Sequence, residues 1–214
     1  FNTMQGRLIR VIEERTRLLT AMSHALKTPI TRMRLRAELL EDDSLRDKFE
    51  TDLGEMEAMV TETLLFMRGL SGREPKQPID VAGLLESIQG DNEAMGRTVT
   101  IDGRASQHVM GNPGLLKRCV SNLVDNAVLY GHQADIQVEE DAVQLTIRVR
   151  DQGPGIPEPE LEAVFEPFVR LEGSRNRETG GTGLGLSIAR NIARVHGGEV
   201  RLANYPRGGL EAVL

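Results

Sequence analysis

Across residues 7–70 apolar side chains recur mostly three or four positions apart, the spacing that an α-helix gathers onto one face. The first stripe runs through Leu8, Ile12, Leu19, Met22, Leu26, Ile30, Met33, Ala37 and Leu40, with Arg15 interrupting it. The stretch "EDDS" at 41–44 then supplies turn and cap residues. A second stripe follows at Leu45, Phe49, Leu53, Met56, Val60, Leu64 and Met67. Two long helices joined by a short turn predict an antiparallel hairpin. Each helix of such a hairpin keeps an apolar stripe that something must cover. A second copy does so most economically, giving a dimeric four-helix bundle. The competing arrangement packs the hairpin against the rest of its own chain.

"GLSGREPKQP" at 69–78 carries Gly, Pro, Ser and charge without periodicity and reads as a linker. The expected organisation is a helical domain at 1–70, a linker at 71–77 and a second domain at 78–214. There "VAGLLESIQGDNEAM" reads as a helix, "RTVTIDG" and "HVMGN" as short strands, and "PGLLKRCVSNLVDNAVLYG" as a helix with Pro113 in its first turn. "ADIQVEE" and "VQLTIRVRD" alternate as antiparallel strands do. "LGLSIARNIARVHGG" is a helix ended by Gly197, and "EVRLAN" and "GGLEAVL" are strands. Strands and helices segregated in this way predict an α/β sandwich with helices on one sheet face.

Composition narrows what the chain can bind. A formal net charge of −6 argues against nucleic acid, and 3% aromatics with no Trp leave no stacking platform for bases. One cysteine, Cys119, rules out an internal disulfide framework and fits a reducing compartment. No run approaches the ~18 apolar residues of a membrane span, and no signal peptide opens the chain. The opening "FNTMQGRLIR" lacks an initial Met and the last residues are apolar, so a membrane-embedded part upstream of residue 1 is compatible with the sequence.

Three stretches of the second domain carry chemistry. "NLVDN" sets Asn122 and Asn126 four apart on one helix face, where amide oxygens suit a hard cation; alone, the pair reads equally as a polar face. "DQGPGIP" ends a strand on Asp151, a hydrogen-bond acceptor for an exocyclic amine, followed by Gly153 and Gly155, which permit unusual backbone angles and close approach of a ligand. "GGTGLGLSIAR" opens a helix with the backbone N–H groups of Gly181, Thr182, Gly183, Leu184 and Gly185 available to an anion at the positive helix end. No Lys-Ser/Thr pair follows these glycines, so this is not a P-loop. Any one stretch is weak evidence; their order and spacing together are not.

With these stretches in place, the chain resembles the cytoplasmic core of the sensor histidine kinases of two-component systems, near their EnvZ-like subgroup, over nearly its whole length. "SHALKTP" resembles that family's phosphoacceptor box, "NLVDNAVLYG" its asparagine box, "DQGPGI" and "GGTGLGL" its two glycine boxes and "FEPF" its phenylalanine box. "FNTM", within residues 1–6, resembles the tail of a HAMP signal-relay segment. The resemblance implies a homodimer whose second domain is a GHKL, or Bergerat-type, ATP-binding sandwich. It implies that Asn126 holds Mg²⁺ with Asn122 in support, and that Tyr130 and Ile156 belong to the ATP site. Asp151 would read the adenine amine, with Gly153 and Gly155 letting the base lie against the backbone. Gly181, Thr182, Gly183, Leu184 and Gly185 would line the phosphates at the hinge of a lid over roughly 168–182, anchored by Phe165 and Phe168 or with those two serving only as core aromatics. Arg170 and Arg175 would reach the γ-phosphate, or remain surface arginines.

His24 would accept the phosphoryl group and pass it to an aspartate of a response-regulator receiver domain. Thr28, one helical turn on, would serve dephosphorylation of that regulator or simply face solvent. The whole protein would then be an inner-membrane sensor of a bacterium, anchored upstream of residue 1, with this part in the cytoplasm. Pro29 lacks the N–H that would bond the carbonyl of Ala25 and its ring crowds that carbonyl, so a bend beside His24 is expected. Two positions depart from the family. Leu129 stands where Lys or Arg is frequent, and Ala25 stands where an acid usually accepts the imidazole proton. Ala25 predicts impaired kinase activity, whether it is natural or a deliberate substitution, and keeps open a nucleotide-binding scaffold or phosphatase. A GHKL-type ATPase is the other alternative, disfavoured because Asn122, where those enzymes carry Glu, cannot act as a base. Of the other histidines, His196 would favour a helix dipole, and His108 and His132 read as surface or strand-edge residues.

Overall fold

The chain divides into two units, Phe1–Ser71 and Gly72–Leu214 apart from Gly180–Thr182, which groups with the first. The structure, a computed structural model, describes residues 14, 17, 21–22, 25–69, 76–106, 108–141, 144–171, 182–206 and 208–214, with second-helix side chains described as far as residue 63.

In the first unit, residues 25–37 form helix α1, which remains helical through Pro29. The chain turns over 38–42, where the Asp42 carboxylate accepts from the N–H of Leu45 at 3.1 Å and caps α2 (Asp43–Gly69). The cap falls within the "EDDS" break. Ile30, Ala37 and Leu53, all stripe residues, are buried, and Arg34 pairs with Glu57 at 3.1 Å between the two helices.

The second unit orders its elements as β1 (Gln77–Ile79), α3 (Val81–Glu93), β2 (Thr98–Gly103), β3 (Val109–Gly111), α4 (Pro113–Gly131), β4 (Gln133–Glu140), β5 (Leu145–Arg150), two 3₁₀ turns (Glu158–Glu160 and Ala163–Phe165), α5 (Gly185–Val195), β6 (Arg201–Asn204) and β7 (Leu210–Val213). The main sheet runs β2-β4-β5-β7-β6. β4, β5, β7 and β6 pair antiparallel, but β2 and β4 pair parallel, with β3 and α4 as the crossover between them. Alternation sets the core: Ala134, Ile136 and Val138 of β4, Ile147 and Val149 of β5 and Ala212 of β7 are buried. Register pairs Ile136 with Val149, Val138 with Ile147 and Val149 with Ala212, so these side chains share one face. α4 and α5 pack together, and the Cys119 thiol donates to the carbonyl of Ala189 at 3.3 Å. Burial pushes that thiol up to about 12.

Two expectations change here. Gln77, assigned to the linker, begins β1, which pairs with β3 as a separate two-stranded ribbon. Pro78 masked the strand, and such a ribbon tolerates a residue without an N–H. His196 ends α5 as expected but does more than favour its dipole. Its Nε2 accepts from the backbone N–H of Asn112 at 3.0 Å, so Nδ1 carries the proton and donates to the carbonyl of Ile192 at 2.8 Å. The neutral ring thereby ties the end of α5 to Asn112, whose own side chain caps α4 through the N–H of Leu115.

Candidate functional site

α4 carries Asn122, Asn126 and Tyr130 at successive turns, and the space beside the first two is bounded by the start of α5. A Cβ built on Gly185 would lie 3.8 Å from Asn126 Nδ2 and 3.9 Å from Asn122 Cγ. The asparagine stretch and the second glycine stretch, some sixty residues apart in sequence, therefore meet. Asn122 Nδ2 is buried with no partner among the described residues. An unsatisfied buried amide costs about 1–3 kcal/mol, which is the signature of a group awaiting a polar ligand or water. Between the two asparagines, burial lifts the Asp125 carboxyl above its ordinary value, against the opposing ion pair with Arg97 at 3.0 Å.

Asp151 follows β5 directly, and its backbone N–H donates to the carbonyl of Leu210 at 3.0 Å. Its Oδ1 accepts from the N–H groups of Gly153, at 2.8 Å, and Leu210, at 3.0 Å. Two backbone donors fix the carboxylate plane, and no described residue donates to Oδ2. The half-buried carboxylate thus presents one oxygen in a set direction.

The glycines of this loop have other neighbours than those expected. A Cβ on Gly153 would meet the carbonyl oxygen of Tyr130 at 2.8 Å, and one on Gly155 would meet Asn204 Oδ1 at 2.5 Å. Gly155 also sits at φ +75°, where L side chains are strained. Protein packing alone therefore requires both glycines, so they are no evidence of a base lying on the backbone. Ile156, half-buried, is held on both its N–H and its carbonyl by the Asn204 side chain.

At the far side, Phe168 adopts φ +66°, an outlier for an aromatic residue, and its N–H donates to the carbonyl of Gly183 at 2.9 Å. Gly183 itself is at φ +72°, with the backbone of Phe168 3.0 Å from where a Cβ would stand. Strained backbone of this kind concentrates at functional sites. The paired phenylalanines divide their roles. Phe165 is buried under the Arg190 guanidinium, 4.0 Å from its ring centroid, while Phe168 is 58% exposed. Leu184 is fully buried, Arg170 and Thr182 are half-buried, and Thr182 groups with the first unit. In the first unit Ala25 and Thr28 are exposed on α1. His24, Arg175 and Gly181 lie outside the described residues.

A cavity of about 500 Å³ opens elsewhere on the second unit, beside Glu158, Leu161, Glu162, Phe165, Arg190 and Glu199. At its centre Arg190 bonds Glu162 at 2.5 Å and Glu199 at 2.8 Å. The Arg190 hydrogen bond holds the Glu162 carboxyl below its usual value. Burial raises the Glu199 carboxyl, but hydrogen bonds from Arg190 and Arg194 together hold it below the ordinary range. The cavity is a salt-bridged seam rather than the site.

The family described as "His Kinase A (phospho-acceptor) domain" matches residues 14–72, and that described as "Histidine kinase-, DNA gyrase B-, and HSP90-like ATPase" matches residues 111–214. The chain belongs to the sensor histidine kinases. Along its full length this sensor histidine kinase chain is 46% identical to Sensor histidine kinase GtrS of Pseudomonas aeruginosa, covering 44% of that protein. It is 34% identical to Sensor histidine kinase CpxA of Escherichia coli, again over its full length, covering 49% of that protein. The chain spans about half the length of the curated relatives it matches. Among solved structures, the ATP binding domain of PrrB from Mycobacterium tuberculosis matches with TM-score 0.55 and 28% identity, over 66% of this chain and 96% of that one. Full-length ShkA in complex with AMPPNP shares the fold with TM-score 0.73 at 22% identity, over 92% of this chain and 44% of that one.

The residues present fit Mg²⁺ and a nucleotide. The orphaned amide nitrogen of Asn122 suits a phosphate or water oxygen, the amide oxygen of Asn126 would serve the cation, and an oriented carboxylate stands at the end of β5. Sequence reasoning missed Asn204, Gly131 and Gly209. A Cβ on Gly131 would meet Asp151 Cβ at 2.6 Å, and one on Gly209 would meet the Asp151 carbonyl oxygen at 2.0 Å. Gly131 ends a helix and the other two begin and end the "NYPRGG" turn, so each carries an ordinary local explanation.

Proposed function

We propose that this chain binds ATP with Mg²⁺ in its second unit and phosphorylates His24 on the helical hairpin of a homodimer. The phosphoryl group then passes to an aspartate of a response-regulator receiver domain. The observation that carries the nucleotide reading is the Asp151 carboxylate, fixed through Oδ1 by two backbone N–H groups with Oδ2 left for a ligand. An acceptor in that position suits the exocyclic amine of adenine and repels the carbonyl of guanine. Asn126, with Asn122 beside it, would hold Mg²⁺, whose positive charge offsets that of the phosphates when bound.

Transfer forms a bond between an imidazole nitrogen and the γ-phosphorus and breaks that phosphorus's bond to the oxygen retained by ADP. The imidazole proton leaves to solvent, because the methyl side chain of Ala25 offers no carboxylate to accept it. Positioning and charge stabilisation supply the rest of the acceleration. The exposed Thr28 on α1, four residues after His24 in sequence, would orient water for removal of phosphate from the regulator. Ala25 favours a second reading, in which binding and phosphatase action persist while autophosphorylation is impaired. The described helices include none long and apolar enough to cross a membrane, and the need for ATP puts this part of the protein on the cytoplasmic side.

Calorimetry tests the nucleotide reading. Asp151→Asn exchanges an acceptor for a donor and should weaken ATP binding by about 1–3 kcal/mol. Equal affinity for ATP and GTP in the unchanged chain, or no effect of the substitution, would remove Asp151 from base recognition.

A further inference from the structure

The loop that carries Asp151 is held at both ends by one cross-strand pair. Asn204 of β6 and Leu210 of β7 are register partners at the mouth of that hairpin. Leu210 holds the front of the loop, its N–H donating to Asp151 Oδ1 at 3.0 Å. Asn204 holds the back. Its Nδ2 donates to the carbonyl of Ile156 at 2.7 Å, and its Oδ1 accepts from the Ile156 N–H at 2.9 Å. The amide thus copies the paired bonds of a neighbouring strand where no strand continues.

Three features argue that this pair does more than tidy a loop. Asn204 is exposed, so no burial penalty demands that both of its amide groups be satisfied within the protein. Gly155 has no Cβ where Asn204 Oδ1 would stand 2.5 Å away, so the loop is shaped around the amide. The hairpin is itself braced, with Arg150 stacked 4.6 Å from the centroid of the Tyr205 ring and the Tyr205 N–H donating to the Gly209 carbonyl at 2.9 Å.

We propose that Asn204 is a positioning residue for base selection: by clamping Ile156 while Leu210 clamps Asp151, it fixes the direction of the free Asp151 oxygen. The proposal rests on the nucleotide reading above. Ile156 is five residues beyond Asp151, and Gly153, one of the two donors to Asp151 Oδ1, lies between them, so releasing Ile156 loosens that donor while the phosphate-facing residues Asn122, Asn126 and Gly185 keep their places. Asn204 therefore governs which base is bound more than whether a triphosphate is bound.

The test uses the full chain with Asn204→Ala and with Asn204→Asp, which keeps the volume and one acceptor but sets a carboxylate against the Ile156 carbonyl. Calorimetry with AMPPNP and its guanosine counterpart is paired with thermal unfolding and amide exchange at Ile156. Loss of one bonded pair should weaken AMPPNP binding about tenfold in both variants, with the weaker guanosine affinity unchanged, the thermal midpoint nearly unmoved and Ile156 exchange faster. AMPPNP affinity equal to the unchanged chain, or both nucleotides weakened in the same proportion, would overturn the proposal. Asn204→Asp behaving as the unchanged chain would overturn it too, by showing that shape alone suffices. If the unchanged chain bound no AMPPNP, the nucleotide reading itself would fall and the proposal with it. That outcome is distinct from the others because it appears before any substitution is made.

Discussion

In the α/β unit Cys119, Val120, Ala134, Leu184 and Val200 have no solvent-accessible surface, whereas on the hairpin stripes Met22, Leu26, Met33, Phe49 and Met56 keep between 39% and 59% of theirs. Both regions are patterned for burial. Only the first completes it within one chain, because a sheet with helices on one face closes a core that two helices cannot. The exposed stripe residues recur at the same helical spacing as the buried Ile30, Ala37 and Leu53, so burial of each stripe is incomplete within one chain. The contrast teaches where assembly belongs. The α/β unit holds its site by internal hydrogen bonds, and the hairpin leaves apolar stripe residues open, which the proposed second copy would cover.

The sharpest way to break this comparison is to remove the same side chain from each region. Leu123→Ala, at a position 2% exposed, should cost about 2–5 kcal/mol in denaturant unfolding of the α/β unit. Leu39→Ala, at a position 81% exposed and off the stripes, should cost less than about 0.5 kcal/mol. Equal costs would mean that the burial contrast is not an energetic one.

Next in size is assembly. Phe49→Glu puts a charge on the open stripe and should weaken a dimer by about 10- to 100-fold, the equivalent of one buried phenylalanine. Nucleotide affinity should stay unchanged. Sedimentation showing the unchanged chain as a monomer at micromolar concentration would defeat the four-helix bundle.

The smallest effect is electrostatic and belongs to the α/β unit. The Glu199 carboxyl is held below its ordinary value of 4.5, so its contribution is complete above that pH and is lost as pH falls through the folded value. The thermal midpoint should therefore drop more steeply below that pH in the unchanged chain than in Glu199→Gln, by a few degrees at most because the group is partly exposed. Parallel profiles would show that the Arg190 seam contributes nothing to stability.

Much of this was legible in the sequence because it rests on periodicity and local signals. The two stripes, the Asp42 cap, Pro113 at the start of α4 and the alternation of β4 and β5 all follow from spacing and turn chemistry. So did the meeting of Asn122 and Asn126 with Gly185, through the resemblance. Long-range pairings were not legible. The parallel register of β2 on β4, the ribbon of β1 with β3, the neutral His196 bridge and the Asn204 clamp each join residues far apart along the chain. No local pattern encodes such partners. The reason for Gly155 was legible only in part: its positive φ matches the unusual backbone angle expected, but the Asn204 atom it also makes room for lies 49 residues away.

Timed labelling with γ-labelled ATP, read as acid-labile phosphate, tests the central claim that this chain is a histidine kinase acting on His24. It should be run on the unchanged chain, on Ala25→Asp and on His24→Gln. A positioned proton acceptor typically contributes about 10²–10⁴-fold, so the unchanged chain should label slowly and Ala25→Asp should label faster by about that factor. Nucleotide affinity should be the same in both, and His24→Gln should carry no label. Equal rates in the first two would show that the acid is dispensable, and label surviving in His24→Gln would contradict the assignment of the acceptor.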